Sequence, residues 1–271
     1  MRLVKLASIM LILAFSVNLG FARKAADLPS RPALEPDTDM TIFPHITMGN
    51  GWTTKILLFN VSDTSVRYRL AFYDGTGKLA SVKLRDRAAS NEVIGTLLPR
   101  ASVWLETDNA NAVGETQYWA RLLEGSGLVA ATQTFEWSAP DGHKTAATFP
   151  LSDDSTEDPI FVPFDNTNGK VTALVITNVD NISTPSPRTV VIEAYDPNGT
   201  RFFSTTRVIP AGAKPAFLLG AEYPALANRR GVIRMYTEGN DDGDIAVLAL
   251  QADEDGNIFG IVPFEGFSYV I

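Results

Sequence analysis

The sequence predicts an all-β protein: two tandem immunoglobulin-like β-sandwich domains behind an export leader. Three observations carry this: an internal repeat that keeps its order, apolar residues alternating with a period of two, and recurrent Gly/Asn/Asp turn signals. Long repeats in conserved order mark duplicated structural units. Period-two alternation marks strands with one buried face, and Gly and Asn accept the positive φ that tight hairpins need.

The chain has 271 residues, enough for two ordinary domains. Hydrophobic residues make up 45% and charged residues 20%, a globular composition. The first 22 residues read as a signal peptide. Arg2 and Lys5 form a positive start, Leu6 to Leu19 is mostly apolar, and Gly20-Phe21-Ala22 supplies the small residues of a cleavage site. The run is shorter than the roughly 20 residues that span a bilayer. The chain is therefore expected to be exported, to periplasm or exterior, without a membrane span in its mature part. Residues 23–40 carry Pro29, Pro32 and Pro36 among charges and read as an extended tether.

The repeat places copy one at 41–150 and copy two at 159–271. Gly51 to Val61 aligns with Gly169 to Val179, and Leu70 to Asp74 with Ile192 to Asp196. Leu98-Pro99 aligns with Ile209-Pro210, Trp104-Leu105 with Phe217-Leu218, Tyr118–Leu122 with Gly231–Met235, and Val129–Ala131 with Ile245–Val247. Val66, Tyr68, Leu70 and Phe72 alternate with Arg67, Arg69 and Ala71, which puts two kinds of residue on two sheet faces. Ile56–Phe59 and Leu174–Ile176 are continuous apolar runs, expected for strands covered on both sides. Ala221 to Arg230 is expected to be a short helix, with Pro224 in its first turn and Gly231 as its stop. The polar, acidic join from Leu151 to Asp158 predicts domains in line with limited freedom.

The second copy resembles tandem β-sandwich repeats of exported bacterial proteins. The resemblance rests on Pro163-Phe164-Asp165-Asn166-Thr167, on Val171-Thr172 through Asn178, and on Tyr223-Pro224-Ala225-Leu226-Ala227-Asn228-Arg229-Arg230-Gly231-Val232. It implies architecture and export, and it brings no catalytic residues. Copy one departs from it by lacking the Pro-Ala-Leu segment.

The formal charge is −8, and removal of Arg2 and Lys5 with the leader takes it to −10. An acidic surface repels phosphate backbones and anionic headgroups, so nucleic acid is not expected as a partner. No cysteine is present, which excludes disulfides, thiolate metal sites and a cysteine nucleophile. The two histidines, His45 and His143, accompany no nucleophile turn, so no catalytic residue is assigned and the chain is read as a non-enzyme. Asp241, Asp242 and Asp244 could hold calcium through hard oxygens, the one cofactor considered. The neighbouring Asp253-x-Asp255-x-Asn257 lacks the Gly and Glu of a calcium loop, and Asp is also an ordinary turn former.

All four tryptophans lie in copy one. Trp104 and Trp119 align with Phe217 and Val232 and are expected in the core. Trp52 aligns with Lys170, so Trp52 and Trp137 are the candidate ligand-stacking residues. The competing reading has them covering the sandwich end. The function expected is a non-catalytic envelope, adhesion or scaffold protein with a protein or polysaccharide partner. A carbohydrate-binding role for exposed aromatics of copy one is the alternative, and a secreted hydrolase ranks last.

Overall fold

The computed structural model describes residues 41–109, 114–125, 127–151, 159–179, 186–238 and 245–265. The leader 1–22, the tether 23–40, and residues 152–158 of the join lie outside these. Among the described residues no helix is long and apolar enough to cross a membrane.

The first half contains β1 (Thr41–Met48), β2 (Trp52–Asn60), β3 (Val66–Tyr73), β4 (Glu92–Leu97), β5 (Ser102–Glu106), β6 (Thr116–Glu124), β7 (Val129–Ser138) and β8 (Lys144–Pro150). They form two sheets, β1-β6-β3-β4 and β5-β2-β7-β8. The second half contains β9 (Ile160–Asp165), β10 (Val171–Asn178), β11 (Arg188–Tyr195), β12 (Arg201–Ile209), β13 (Ala216–Leu218), β14 (Arg230–Thr237), β15 (Ile245–Ala252), β16 (Ile258–Ile261) and β17 (Phe264–Glu265). Its sheets are β12-β11-β14-β9-β17 and β13-β10-β15-β16. Strand for strand the two halves have the same order, and only β17 is extra.

The pairings of β2 with β5 and β3 with β6 are those of B with E and C with F in an immunoglobulin sandwich. The outer strands differ. β1 lies beside β6, and β7 lies beside β2.

The repeat extends to individual hydrogen bonds. Asp74 Oδ1 accepts the amides of Thr76 (2.8 Å) and Lys78 (3.1 Å), and Asp196 Oδ1 accepts those of Asn198 and Thr200, both at 2.9 Å. Gly77 and Gly199 close the two turns with φ of 83° and 80°. Asn60 and Asn178 are fully buried. Asn60 Nδ2 donates to the carbonyls of Thr64, Leu97 and Leu98, and Asn178 Nδ2 to those of Ser186 and Ile209. Each amide thus ties the end of its strand to the loop preceding β5 or β13, where carbonyls would otherwise be buried unpaired.

Each half has its own core. Phe43, Ile46, Ile56, Leu58, Leu70, Phe72 and Leu122 fill the first, and Val162, Phe164, Leu174, Ile176, Ile192, Ile233 and Met235 the second. Two further clusters cross the join. Trp52, Phe135, Trp137, Ala147 and Phe149 pack on Ala173, Val175, Leu248, Leu250, Ala252 and Ile258. Ile42, Ala71, Tyr73 and Trp119 pack on Val179 and Ala246. The halves are therefore packed against each other side by side rather than strung in line, because the outer face of β10 and β15 is apolar and needs cover.

Three expectations are corrected. β10 is buried on both faces as its apolar run requires, but β2 alternates buried and half-buried residues, because its outer face faces solvent. The segment after β13 is one helical turn, α1 (Leu219–Glu222), and a 3₁₀ turn at Pro224–Leu226. Pro224 begins the second piece, since a proline cannot continue a helix through its own missing N–H. Gly231 is not a helix stop but a residue of β14. A Cβ there would meet the Tyr195 carbonyl oxygen at 2.0 Å, so only glycine lets β14 approach β11 this closely.

Candidate functional site

Trp52 and Trp137 do not face solvent. They lie opposite each other on β2 and β7, with ring centroids 6.3 Å apart, and are 3% and 5% exposed in the cluster between the halves. They cannot stack on a sugar without parting the halves. Trp104, expected in the core, is 60% exposed. In the structure Trp104 pairs with Leu57 and Ala216 with Val175, so Ala216 and not Phe217 is its counterpart. A slip of one residue moves a strand side chain to the other face. Trp119 is buried as expected, stacked on Tyr73 at 4.4 Å, but on the outer face of its sheet. Asp241, Asp242 and Asp244 lie outside the described residues. Among those described no group of three His, Cys, Asp or Glu side chains is placed to hold a metal.

The resemblance motif of the second half is one interlocked corner. Asn166 Nδ2 donates to the Leu226 carbonyl at 3.0 Å, and its Oδ1 accepts the Thr172 amide at 2.8 Å. Asp165 accepts from the Thr167 amide and hydroxyl at 3.0 and 2.6 Å and from Lys170 Nζ at 3.1 Å. Burial raises the Asp165 carboxyl, but these bonds outweigh it and hold it below the ordinary carboxylate range.

Beside this corner, the outer face of the five-stranded sheet carries an open groove of about 920 Å³. β9 contributes Phe161, β11 Tyr195, β14 Arg230 and Arg234, and β17 Phe264. Phe161 and Phe264 stack at 5.5 Å with planes 13° apart, and Phe264 is half exposed. The floor is held by Glu193, whose side chain is 4% exposed. Its carboxylate accepts from Tyr195 Oη at 2.8 Å, Arg201 Nη1 at 2.5 Å and Arg234 Nη1 at 3.1 Å. Burial alone would raise its pKa; the three donors reverse that and lower it. The Arg234 guanidinium also lies 4.5 Å from the Tyr236 ring centroid. Aromatic rings, a fixed guanidinium and the exposed Arg230 thus share one rigid surface. No motif signals this groove, because its residues come from four strands and alternate with core residues.

A second polar group lies at the join. β1 bulges between Phe43 and Ile46, so both residues point inward and the intervening His45 is turned toward the second half. Lys214, from the loop between β12 and β13, enters there: its Nζ is 2.8 Å from His45 Nδ1 and 3.3 Å from Gln117 Oε1. Gln117 Nε2 donates to Glu115 Oε1 at 2.7 Å, and Thr47 Oγ1 donates to the same oxygen at 3.4 Å. Lys214 is 5% exposed. Its backbone N–H donates to the Gly75 carbonyl at 3.1 Å. Burial drives the Lys214 amine down to about 7 and the Glu115 carboxyl up to about 7, and holds His45 well below its ordinary value.

No family model, curated protein or solved structure matches this chain.

Proposed function

We propose that the chain is a non-catalytic exported scaffold or adhesion module of the cell envelope, which binds a protein partner through the groove on its second half. The observation that carries this is the groove itself: stacked Phe161 and Phe264 beside Arg230 and the Glu193-anchored Arg234. Aromatic rings and arginine are the residues that dominate binding energy at protein interfaces. The apolar packing between the halves supports a scaffold, since a hydrophobic interface limits relative motion. The charge of −8 leaves Arg230 as a local cationic feature for a carboxylate-bearing partner.

A photo-crosslinking residue at Phe264, in cells that make the protein, tests this reading. The expected result is an adduct with one envelope protein, lost on Arg230→Glu and absent with the crosslinker at Asp63, an exposed residue of the first half. Identical adducts at both positions, or an adduct indifferent to Arg230→Glu, refute the reading.

The carbohydrate alternative attaches to Trp104, the exposed aromatic beside Leu57, rather than to Trp52 and Trp137. A shift of tryptophan fluorescence on polysaccharide addition that vanishes in Trp104→Phe would favour it.

A further inference from the structure

We propose that Lys214 and Gln117 react to form an isopeptide bond that ties the second half covalently to the first. A buried ammonium is costly unless a carboxylate faces it, yet among the described residues Lys214 Nζ bonds a histidine nitrogen and an amide oxygen. The Glu115 carboxyl sits on the far side of that amide, bonded to Gln117 Nε2. Its Oε2 is buried and has no hydrogen-bond partner among the described residues, which favours the protonated acid. Amine, carboxamide and acid thus stand in line, with the amide nitrogen turned to the acid and the carbonyl to the amine. Nζ lies 3.3 Å from the carbonyl oxygen, so amine and carboxamide are already in contact, and a small shift of the lysine end brings Nζ to Cδ.

A lysine becomes a nucleophile when desolvation removes its proton, and burial here brings Lys214 to about 7. The free amine is the attacking form, with the neutral His45 Nδ1 beside it. Nζ then attacks Gln117 Cδ, the Cδ–Nε2 bond breaks, and ammonia leaves. Glu115 donates its proton to Nε2, His45 Nδ1 takes one from Nζ once that nitrogen is bonded to Cδ and acidic, and the departing ammonia carries the proton from His45 to Glu115, which restores both. One C–N bond forms and one breaks, with no oxidant, reductant or cofactor. The product removes the buried amine and closes the join in a chain that has no cysteine for a disulfide. The proposal is independent of what the groove binds.

Peptide mapping and intact mass of the folded full chain test it. The expected chain is lighter than its sequence by one ammonia, about 17 Da, with a tryptic product joining the segments that hold Lys214 and Gln117. Glu115→Gln should have the full sequence mass and keep the circular dichroism of the parent. The unmodified chain decides the matter even if that variant misfolds. Lys214 and Gln117 recovered in separate unmodified peptides overturn the proposal. So does ammonia loss mapped instead to an Asn-Gly pair such as Asn168-Gly169, or a water-loss link from Lys214 to Glu115.

Discussion

Truncation of Trp137 distinguishes packing from ligand stacking. The ring is 5% exposed and packs with Trp52 against aliphatic side chains of β10 and β15. Removing a buried tryptophan side chain costs about 3–5 kcal/mol. Against this, Trp137 Nε1 is buried without a hydrogen-bond partner among the described residues, and an unsatisfied donor carries a penalty of about 1–3 kcal/mol that truncation relieves. The two ranges leave a net cost for Trp137→Ala centred on about 2 kcal/mol. Trp137→Phe keeps most of the apolar area and sheds the orphan N–H, so it should cost less than about 1 kcal/mol. Urea unfolding followed by far-ultraviolet circular dichroism measures both. Because the lost contacts span the join, the Ala variant should also show the halves unfolding in separate steps where the parent unfolds in one. A cost below about 1 kcal/mol for Trp137→Ala, with a single transition retained, would refute the reasoning and restore this residue as a surface group.

The other predictions use the repeat as an internal control. Gly77 and Gly199 occupy the same turn at the same φ, but a Cβ on Gly77 would meet Gly212 Cα at 2.7 Å while Gly199 faces open space. Gly199→Ala should cost only the left-handed strain of about 1–2 kcal/mol, and Gly77→Ala distinctly more; equal shifts in thermal melting would show that this contact between halves carries nothing. Asn60→Ala and Asn178→Ala should each cost about 2–4 kcal/mol, because each strands at least one buried carbonyl along with its other partners; a large cost at one site and none at the other in urea unfolding would break the equivalence. Burial pushes the Glu115 carboxyl up from an ordinary 4.5 to about 7. The folded state therefore binds its proton more tightly, so its contribution is fully present below pH 4.5 and is lost as pH rises through about 7. Melting of the parent should fall over that window more than melting of Glu115→Gln; parallel profiles would contradict the assignment.

The equivalence of strands in the two halves is legible because duplication writes the same pattern twice. The alignment of Ala71 with Glu193 and of Arg121 with Arg234 matches observed cross-strand pairs, Ala71 with Arg121 and Glu193 with Arg234. Sidedness at an isolated aromatic was not legible. Trp104 was aligned one residue out, and in a strand that error exchanges core for solvent. Contacts between the halves leave no periodic signature. Whether Trp52 is covered depends on β10 and β15 more than a hundred residues later, and Lys170, its sequence counterpart, has no such neighbour. The groove was missed for a related reason: Phe161, Arg234 and Phe264 are neighbours only after β9, β14 and β17 pair. The buried Lys214 carries no local signal either, since a lysine beside Pro215 reads as a surface loop.

The placement of Trp52 and Trp137 in the first half follows from complementarity between unequal partners. At the join the first half supplies bulk: Trp52, Phe135, Trp137 and Phe149. The second supplies Ala173, Val175, Leu248, Leu250 and Ala252. Aromatic rings facing smaller aliphatic side chains can interdigitate, whereas two identical aromatic faces would clash. The bulge in β1 has no counterpart in the pairing of β9 with β14, and it is what turns His45 toward Lys214. Divergence between the copies thus includes the face where they meet, alongside β17 and the helical turns after β13, while the asparagine ties stay alike. A shared apolar face is expected of two units shaped to work as one body, with the groove carried on the sheet β12-β11-β14-β9-β17, which gives no residue to the clusters that span the join.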